Sequence, residues 1–575
     1  MNIQHTCQIL VVGHSESRAK AEQRCLKTKR RSMVWSALFN VSLLTFCAAA
    51  RAATCESLAG LTLPYTTISV AQSVLAGTFT PSGSPPITNL PAFCRVAGVI
   101  KPTSDSNIRF EVWMPISNWN GNYQQVGNGG FGGSIFYSNP AAGIPSIADG
   151  LKRGYATAGT DDGHASANMF VATWALGHPE QVIDFGYRAV HETSEKAKAV
   201  VDAFYGEHPH YSYFNGCSSG GREALMEAQR FPDDFDGIIA GAPANFFTHL
   251  MAGSAWNEQA TLGDAGSYIP YTKLPAITAA AVAACDELDG VADGVIDDPR
   301  KCQFDPSPLL CTGADSNSCL TAPQLIALEK IYAGARNSRT GQQIFPGYLP
   351  GTEAFNLGRG SWSSWITGTA PGTGLQYTIG NQFFANMVFD DPSWDFQTFD
   401  FDSDMTFTDT KLASILNSTD PEISSFAARG SKIIMYHGWN DPAIAPVNSV
   451  NYYESVVRAV AGKPGSRFGD IAHGHAWRTT QEFFRLFMVP GMNHCGGGPA
   501  PNTFDTLTAL ENWVERGVAP DVIIASHITS GVVDRTRPLC RYPQIAVYQG
   551  AGSTDDAENF ACAFPEDDEG DDDWF

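Results

Sequence analysis

Residues Tyr211 to Pro243 read YSYFNGCSSGGREALMEAQRFPDDFDGIIAGAP. Aromatic and small residues up to Asn215 have the composition of a strand, and Glu223 to Arg230 has that of a helix. Between them Gly216-Cys217-Ser218-Ser219-Gly220 matches G-x-S-x-G, so the stretch predicts a strand, a sharp turn bearing a serine, and a helix. A serine hydroxyl is a poor nucleophile unless it is lifted clear of the sheet toward a base, which such a turn does. Glycines two residues to either side leave room for the backbone. Ser218 is therefore the candidate nucleophile. The amide of Ser219, at the helix start, is placed to donate to a developing oxyanion. In a chain with 55 glycines the motif alone arises easily by chance, and the strand before and helix after are what give it weight.

Upstream, Gly121 to Gly133 reads GNYQQVGNGGFGG, a strand running into a glycine-rich loop. In hydrolases built around such a turn, a loop of this kind supplies the second oxyanion amide; Gly130 is the candidate, with Gly129 close behind. A phosphate cradle is the weaker reading, because no Lys follows and G-x-x-x-x-G-K-[ST] is absent. Ile108, Phe110, Val112 and Met114 alternate with Arg109, Glu111 and Trp113, which predicts a half-buried strand. Tyr155 to Thr160 predicts a short strand ending in Asp161-Asp162-Gly163-His164, where His164 is expected to play a supporting part. Glu180 to Phe204 has helical spacing, with Val182, Phe185, Ala189 and Val190 on one side. Strand, helix, strand, sharp turn and helix make a parallel α/β arrangement.

Downstream of Pro243 the pattern stops. From Asn245 to about Arg429 the chain reads as loop-rich with short helices such as Ala276 to Ala284 and Ala322 to Ala333, too long for a connection and so expected to be an inserted domain. Its segment CDELDGVADGVIDDPRKC, Cys285 to Cys302, sets Asp286, Asp289 and Asp293 among glycines and the carbonyls of Val291 and Val295. These are hard oxygen ligands of the kind calcium takes, although the spacing is not that of an EF-hand. The plainer alternative is an acidic surface turn; so many carboxylates in one small loop repel without a cation, which favours calcium. From Phe355 to Phe407 twelve of 53 residues are aromatic, twice the chain average of 11%, and Arg359 is the only cation. Most are expected in the insert's own core, with a few lining a lid over an aromatic substrate.

Regular α/β signals resume at Ser431-Lys-Ile-Ile-Met-Tyr-His-Gly-Trp-Asn-Asp441-Pro442, an apolar strand delivering a carboxylate at its end. Arg485-Leu-Phe-Met-Val-Pro-Gly-Met-Asn-His494-Cys495 repeats the design with a histidine. Serine, acid and histidine in that chain order match the α/β-hydrolase fold. His437, His473 and His475 compete as bases, but His437 precedes the acid and the other two lie outside a strand end. His494 is thus expected to take the Ser218 proton while Asp441 holds its tautomer.

At 575 residues the chain is too long for one ordinary core, and 43% hydrophobic with 17% charged residues marks it as globular. A formal charge of −22 argues against nucleic acid or an anionic membrane as partner. Lys27 to Arg31 precede an apolar run from Met33 to Ala50 and an Ala50-Arg51-Ala52 cleavage signal, which predicts a secretory signal over residues 1–52, with Met33 as an alternative start. No other segment approaches about 20 consecutive apolar residues, so no membrane span is expected. Past the cleavage point ten of the thirteen cysteines remain, an even number that reads as five disulfides in an oxidising compartment. The expected layout is a hydrolase domain in two parts, 53–244 and 430–564, a lid over 245–429, and an acidic disordered tail over 565–575, where EDDEGDDD carries seven carboxylates.

Cys217 immediately before the serine and Cys495 immediately after the histidine complete a Cys-Ser, Asp, His-Cys constellation that resembles the tannase and feruloyl esterase family. The similarity runs from Cys55 to Phe564 and includes CDELDGVADGVIDD, VPGMNHCGGGP and TRPLCRYPQIAVYQG. It implies an α/β-hydrolase domain with a lid holding one calcium, catalysis by Ser218, Asp441 and His494, and oxyanion amides from Gly130 and Ser219. It further implies calcium ligands Asp286, Asp289, Val291, Asp293 and Val295. The pairing it implies is Cys55 with Cys94, Cys217 with Cys495, Cys285 with Cys302, Cys311 with Cys319, and Cys540 with Cys562; spacing alone leaves the connectivity open. Members of the family cleave hydroxycinnamoyl esters of plant wall sugars, galloyl esters of tannins and, in one branch, a terephthalate monoester whose carboxylate a lid arginine holds. That position falls near Phe383, and no Arg or Lys lies between Gly360 and Thr410.

The resemblance therefore points to a secreted serine carboxylesterase, a monomer or homodimer, acting on neutral aromatic acyl esters of the feruloyl type. Galloyl and terephthalate esters are the alternative substrates. A serine peptidase on the same fold is a further reading, and an inactive calcium-stabilised binding module is the non-enzyme one.

Overall fold

The elbow strand lies at the centre of a nine-stranded sheet in the computed structural model, which describes residues 53–139, 143–354, 360–462 and 474–565. The expected export signal over 1–52 and the acidic tail from Glu566 lie outside the described residues, as do Phe355, Arg359 and His473. In chain order the strands are β1 (Thr66–Val74), β2 (Phe93–Ile100), β3 (Ile108–Pro115), β4 (Tyr123–Val126), β5 (Ala156–Thr160), β6 (Ser212–Cys217), β7 (Gly237–Gly241), β8 (Lys432–Gly438) and β9 (Phe484–Val489). Their order across the sheet is β1-β2-β3-β5-β4-β6-β7-β8-β9. Pairs from β1 to β5 are antiparallel, and from β5 through β4 to β9 every pair is parallel.

The chain passes from β4 outward to β5 and returns to place β6 on the other side of β4, so the strand order reverses there. Open sheets of this kind form their sites in the crevice at the carboxyl ends of strands flanking such a reversal. Register then sets two loops side by side: Val126 pairs with Asn215, and the Gly127 amide donates to the Asn215 carbonyl at 3.0 Å, which brings the glycine-rich loop after β4 against the serine turn after β6.

The helices that matter for the site are α1 (Ala189–Tyr205), α2 (Ser219–Arg230), α3 (Phe247–Leu262), α4 (Leu375–Phe383), α5 (Val447–Val460) and α6 (Thr506–Arg516). None of the described helices is long and apolar enough to cross a membrane. The helical run predicted from Glu180 is interrupted by a π-turn over Asp184–Arg188. Its carbonyls are met by the buried Arg222 of α2, whose guanidinium donates to Gly186 O at 2.7 Å and Phe185 O at 2.9 Å. A π-turn at such a contact is how a helix gives up regular bonds for an outside donor.

Two readings of the sequence are corrected here. β3 is not half-buried: of its alternating polar set only Arg109 is exposed, whereas Glu111 and Trp113 are buried. Glu111 is satisfied there by Arg95, by the Trp113 indole at 2.8 Å and by the Tyr137 hydroxyl at 2.9 Å, so alternation marks two filled faces. The stretch after Asn245 is also richer in helix than it reads, with α3 running for 16 residues. α3 is buried around most of its circumference, so its apolar residues do not fall into one stripe.

The insert's apolar core gathers Leu250, Ile277, Leu328, Trp362, Phe383 and Phe399, and it also takes in Phe131, Phe185 and Ala443 to Ala445 from beside the serine turn. Five disulfides close Cys55–Cys94, Cys217–Cys495, Cys285–Cys302, Cys311–Cys319 and Cys540–Cys562, the pairing the resemblance implied.

Candidate active site

Ser218 leaves β6 with φ 67° and ψ −124°, a left-handed conformation that a β-strand running straight into a helix demands. The turn closes on itself: a Cβ on Gly216 would lie 2.3 Å from Gly220 O, and one on Gly220 would lie 2.9 Å from Asn128 O. The strained residue is held from three sides. Its amide donates to Gly241 O at 3.0 Å, and its carbonyl accepts from the amides of Arg222 and Ala244, each at 3.1 Å.

Ser218 Oγ lies 2.9 Å from His494 Nε2, and His494 Nδ1 lies 2.7 Å from Asp441 Oδ2. The three expected residues, each from a different strand end, therefore form one continuous hydrogen-bonded chain. Asp441 is buried, and its other oxygen accepts from the amides of Ala443 at 2.8 Å and Ile444 at 3.0 Å. Burial by itself would raise this carboxyl, but the charge of His494 and the bonds from His437 and His494 outweigh it and hold the group well below the usual carboxylate range. A base thus oriented by an ionised carboxylate can accept the serine proton.

Gly130 and Ser219 line the same cavity as Ser218 and His494, and Gly129 does not. Gly130 sits at φ 58°, where a Cβ would lie 2.4 Å from Met169 O. The loop is pinned in that shape by Phe131 N donating to Met169 O at 2.7 Å and by the Ser219 hydroxyl donating to Gly130 O at 2.5 Å. Ser219 opens α2, and the first amides of a helix have no acceptor within it. Beneath the loop the Asn128 amide donates to Glu223 Oε2 at 3.1 Å. Burial pushes Glu223 up to about 7 and its neighbour Asp162 well above the carboxylate range.

His164 does not join the serine. Its ring stacks 3.7 Å from Trp174, and burial pushes it down to about 4, which leaves it neutral and structural. His475 is exposed at the start of a short helix, His475–Gln481. His437, set aside as a rival base, instead contacts the acid: its Nε2 is 3.0 Å from Asp441 Oδ2. Only the His-x-x-x-Asp spacing hinted at that contact in the sequence.

The cavity beside Ser218 is walled by Phe170, Phe247, Leu250, Met251, Trp365 and Ile379, with Ser254 and Gln376 as polar side chains beyond Ser219 and His494, and no Lys or Arg among the described residues. The rings of Trp365 and His494 meet edge to face, their centres 5.4 Å apart. Among the described residues of the aromatic-rich stretch Trp365 alone lines the cavity, while Trp362, Phe383, Phe384, Phe399 and Phe401 are core, as the composition suggested for most of them. Phe383 packs behind Phe247, ring centres 5.8 Å apart.

In the acidic loop, Asp286 accepts from the amides of Gly294 and Val295, Asp289 from that of Val291, and Asp293 from that of Val295. Burial and the charges of Asp293 and Asp286 push Asp289 up to about 6, and Asp297 stands well above the carboxylate range through burial and the charges of Asp289 and Asp293. Asp297 is thus a further carboxylate of this loop that the sequence reading passed over. Arg537 at 2.6 Å and Arg535 at 3.2 Å both meet one oxygen of Asp293, Oδ2. The donor chemistry fits a hard divalent cation, although Asp286, Asp289 and Asp293 are not among the described clusters whose ligand atoms lie within 4.8 Å of one another.

A serine on such an elbow, bonded through histidine to a buried carboxylate in a sheet of this order, defines the α/β-hydrolase fold, and the chain is a carboxylic ester hydrolase. Residues 94–563 match the sequence profile of the family described as tannase and feruloyl esterase, and the chain belongs to that family. It is similar to an uncharacterised esterase of Xanthomonas campestris pv. campestris, 47% identical over 546 residues that cover 89% of this chain and 92% of the relative. It is also similar to the mono(2-hydroxyethyl) terephthalate hydrolase of Piscinibacter sakaiensis, 35% identical with 83% of this chain and 85% of the relative covered. The crystal structure of feruloyl esterase B from Aspergillus oryzae superposes with a TM-score of 0.78 at 30% identity, covering 88% of this chain and 99% of that one.

Proposed function

We propose that the chain hydrolyses neutral aromatic acyl esters, feruloyl or hydroxycinnamoyl in type, through an acyl-enzyme on Ser218. The observation that carries this is the chain Ser218–His494–Asp441 at the mouth of an apolar cavity with no Lys or Arg among the described residues of its wall. The ring of the acyl group enters between Phe247 and Trp365. Ser218 Oγ attacks the ester carbonyl as its proton passes to His494 Nε2, while Asp441 keeps the imidazolium in place. The amides of Gly130 and Ser219 receive the oxyanion, His494 returns the proton to the departing alcohol, and water reverses the sequence to free the acid. Residues 245–429 act as the lid, in the layout 53–244 and 430–564 for the catalytic domain. Five disulfides support an extracellular or periplasmic location for a monomer or homodimer.

Calcium belongs to this reading as a structural ion of the lid. Asp286, Asp289 and Asp293 would hold it with the carbonyls of Val291 and Val295, and what the ion supplies is charge neutralisation for a loop clamped by Cys285–Cys302.

The test is turnover of methyl ferulate, methyl gallate and a terephthalate monoester by protein from Ala53 onward, beside Ser218→Ala. The expected order of kcat/KM puts a neutral acyl ester first, with no turnover by the alanine variant. A preference for the terephthalate monoester would overturn the acyl assignment, and an active alanine variant would overturn the nucleophile.

A further inference from the structure

Asp441 Oδ2 carries two imidazoles. His494 Nδ1 stands 2.7 Å from it and His437 Nε2 stands 3.0 Å from it. His437 lies near the end of β8, four residues before the acid, with its side chain fully buried. The same Nε2 also stands 3.2 Å from the carbonyl of Ile444. Two acceptors face this nitrogen, so it carries the proton; a bare lone pair there would meet two oxygens in a site closed to water. The far nitrogen, Nδ1, is 2.7 Å from the hydroxyl of Ser449, itself buried on α5. Ser449 therefore fixes the ring plane and His437 has one orientation.

The consequence falls on the carboxylate. Oδ1 accepts from the amides of Ala443 and Ile444, and rotation about the Cβ–Cγ bond would carry both oxygens together, so the plane of the carboxylate is set by what each oxygen meets. His494 is a loop residue that must hold its bond to Asp441 while changing protonation state, and so cannot anchor Oδ2 from outside the reaction. His437 can. We propose that His437 is a positioning residue for ester hydrolysis, its Nε2–H fixing Asp441 Oδ2 where that oxygen orients His494; this rests on reading Ser218, His494 and Asp441 as the catalytic triad. His437 makes no contact with Ser218 and takes no proton from it. Its part is to make the acid's geometry independent of the base.

Two substitutions of similar polarity separate this role from general packing. In His437→Gln the side-chain amide nitrogen reaches about as far as Nε2 and keeps a donor for Asp441. In His437→Asn it reaches only the Nδ1 position and keeps a partner for Ser449 alone. Both are measured for kcat and KM on methyl ferulate and for melting temperature, beside the parent and Ser218→Ala. The expected result for His437→Asn is a kcat roughly 10- to 100-fold lower with KM within about twofold, the scale of loss that misplacement of a reacting group brings. His437→Gln is expected to recover to within about fivefold of the parent. If the asparagine variant does not fold, Ser449→Ala carries the test, with kcat expected to fall roughly 3- to 10-fold, the worth of one buried hydrogen bond.

The inference is overturned if His437→Asn, or Ser449→Ala in its place, keeps the parent's kcat while Ser218→Ala is inactive. It is equally overturned if the glutamine and asparagine variants melt like the parent and lose kcat to the same extent. Activity surviving in Ser218→Ala would instead bring down the triad reading itself.

Discussion

Glu223 stands one turn into the helix after Ser218, under the glycine-rich loop, and burial pushes its carboxyl up to about 7. An unfolded chain holds a glutamate at about 4.3, so between the two values the native state keeps a proton that the unfolded state has lost. Stability is therefore full below about 4, falls as pH rises, and is at its reduced level above about 7. Glu223→Gln still accepts from the Asn128 amide but does not ionise; at pH 8 it is expected to gain up to about 3 kcal/mol over the parent, and at pH 4 little. Melting curves of both proteins across that range check it, and parallel curves would remove Glu223 as the source. At this scale the site was largely legible. Ser218, Asp441 and His494 each follow an apolar run at a strand end, where local pattern and chemistry coincide. His437 was not legible in its role, because nothing in a sequence distinguishes a histidine that competes with the base from one that braces the acid; only the turn from Gly438 to Asp441 folds its ring back onto Oδ2.

Between elements, the joint that matters is Cys217–Cys495, which ties the end of β6 to the loop after β9 across 278 positions of sequence. Loop closure on that scale is worth roughly 5 kcal/mol in the chain-entropy treatment. The Cys217→Ala, Cys495→Ala double variant is expected to lose stability of that order in denaturant titration. Its kcat at low temperature is expected to fall as well, since Ser218 and His494 are the flanking residues. Full stability in the double variant would mean that packing alone sets the joint. Elements that carry a period were readable: β6, β8 and β9 as apolar runs and α1 as an amphipathic stripe. α3 was not, since it is wrapped by the insert on most sides, and β3 misled because its polar positions are filled by Glu111 and Trp113 in partnership with Arg95 and Tyr137.

For the molecule as a whole, the insert is more than a cover. Its apolar core continues into Phe131, Phe185 and Ala443 to Ala445 beside the serine turn, so residues 245–429 and the loops that carry the site share one packed interior. Anything that loosens the acidic loop should be felt across that interior. Chelation by EGTA is expected to lower the melting temperature, calcium but not magnesium to restore it, and Asp289→Ala to melt low and to ignore EGTA. A parent that melts unchanged in chelator would refute the calcium assignment. The bond between Cys217 and Cys495 has one more effect, on the fate of a chain that meets a protease. Every peptide link from residue 218 to residue 494, all of 245–429 included, lies inside a covalent ring. A single nick anywhere in that ring opens it without parting serine from histidine, so a clipped molecule remains one species until it meets a reductant.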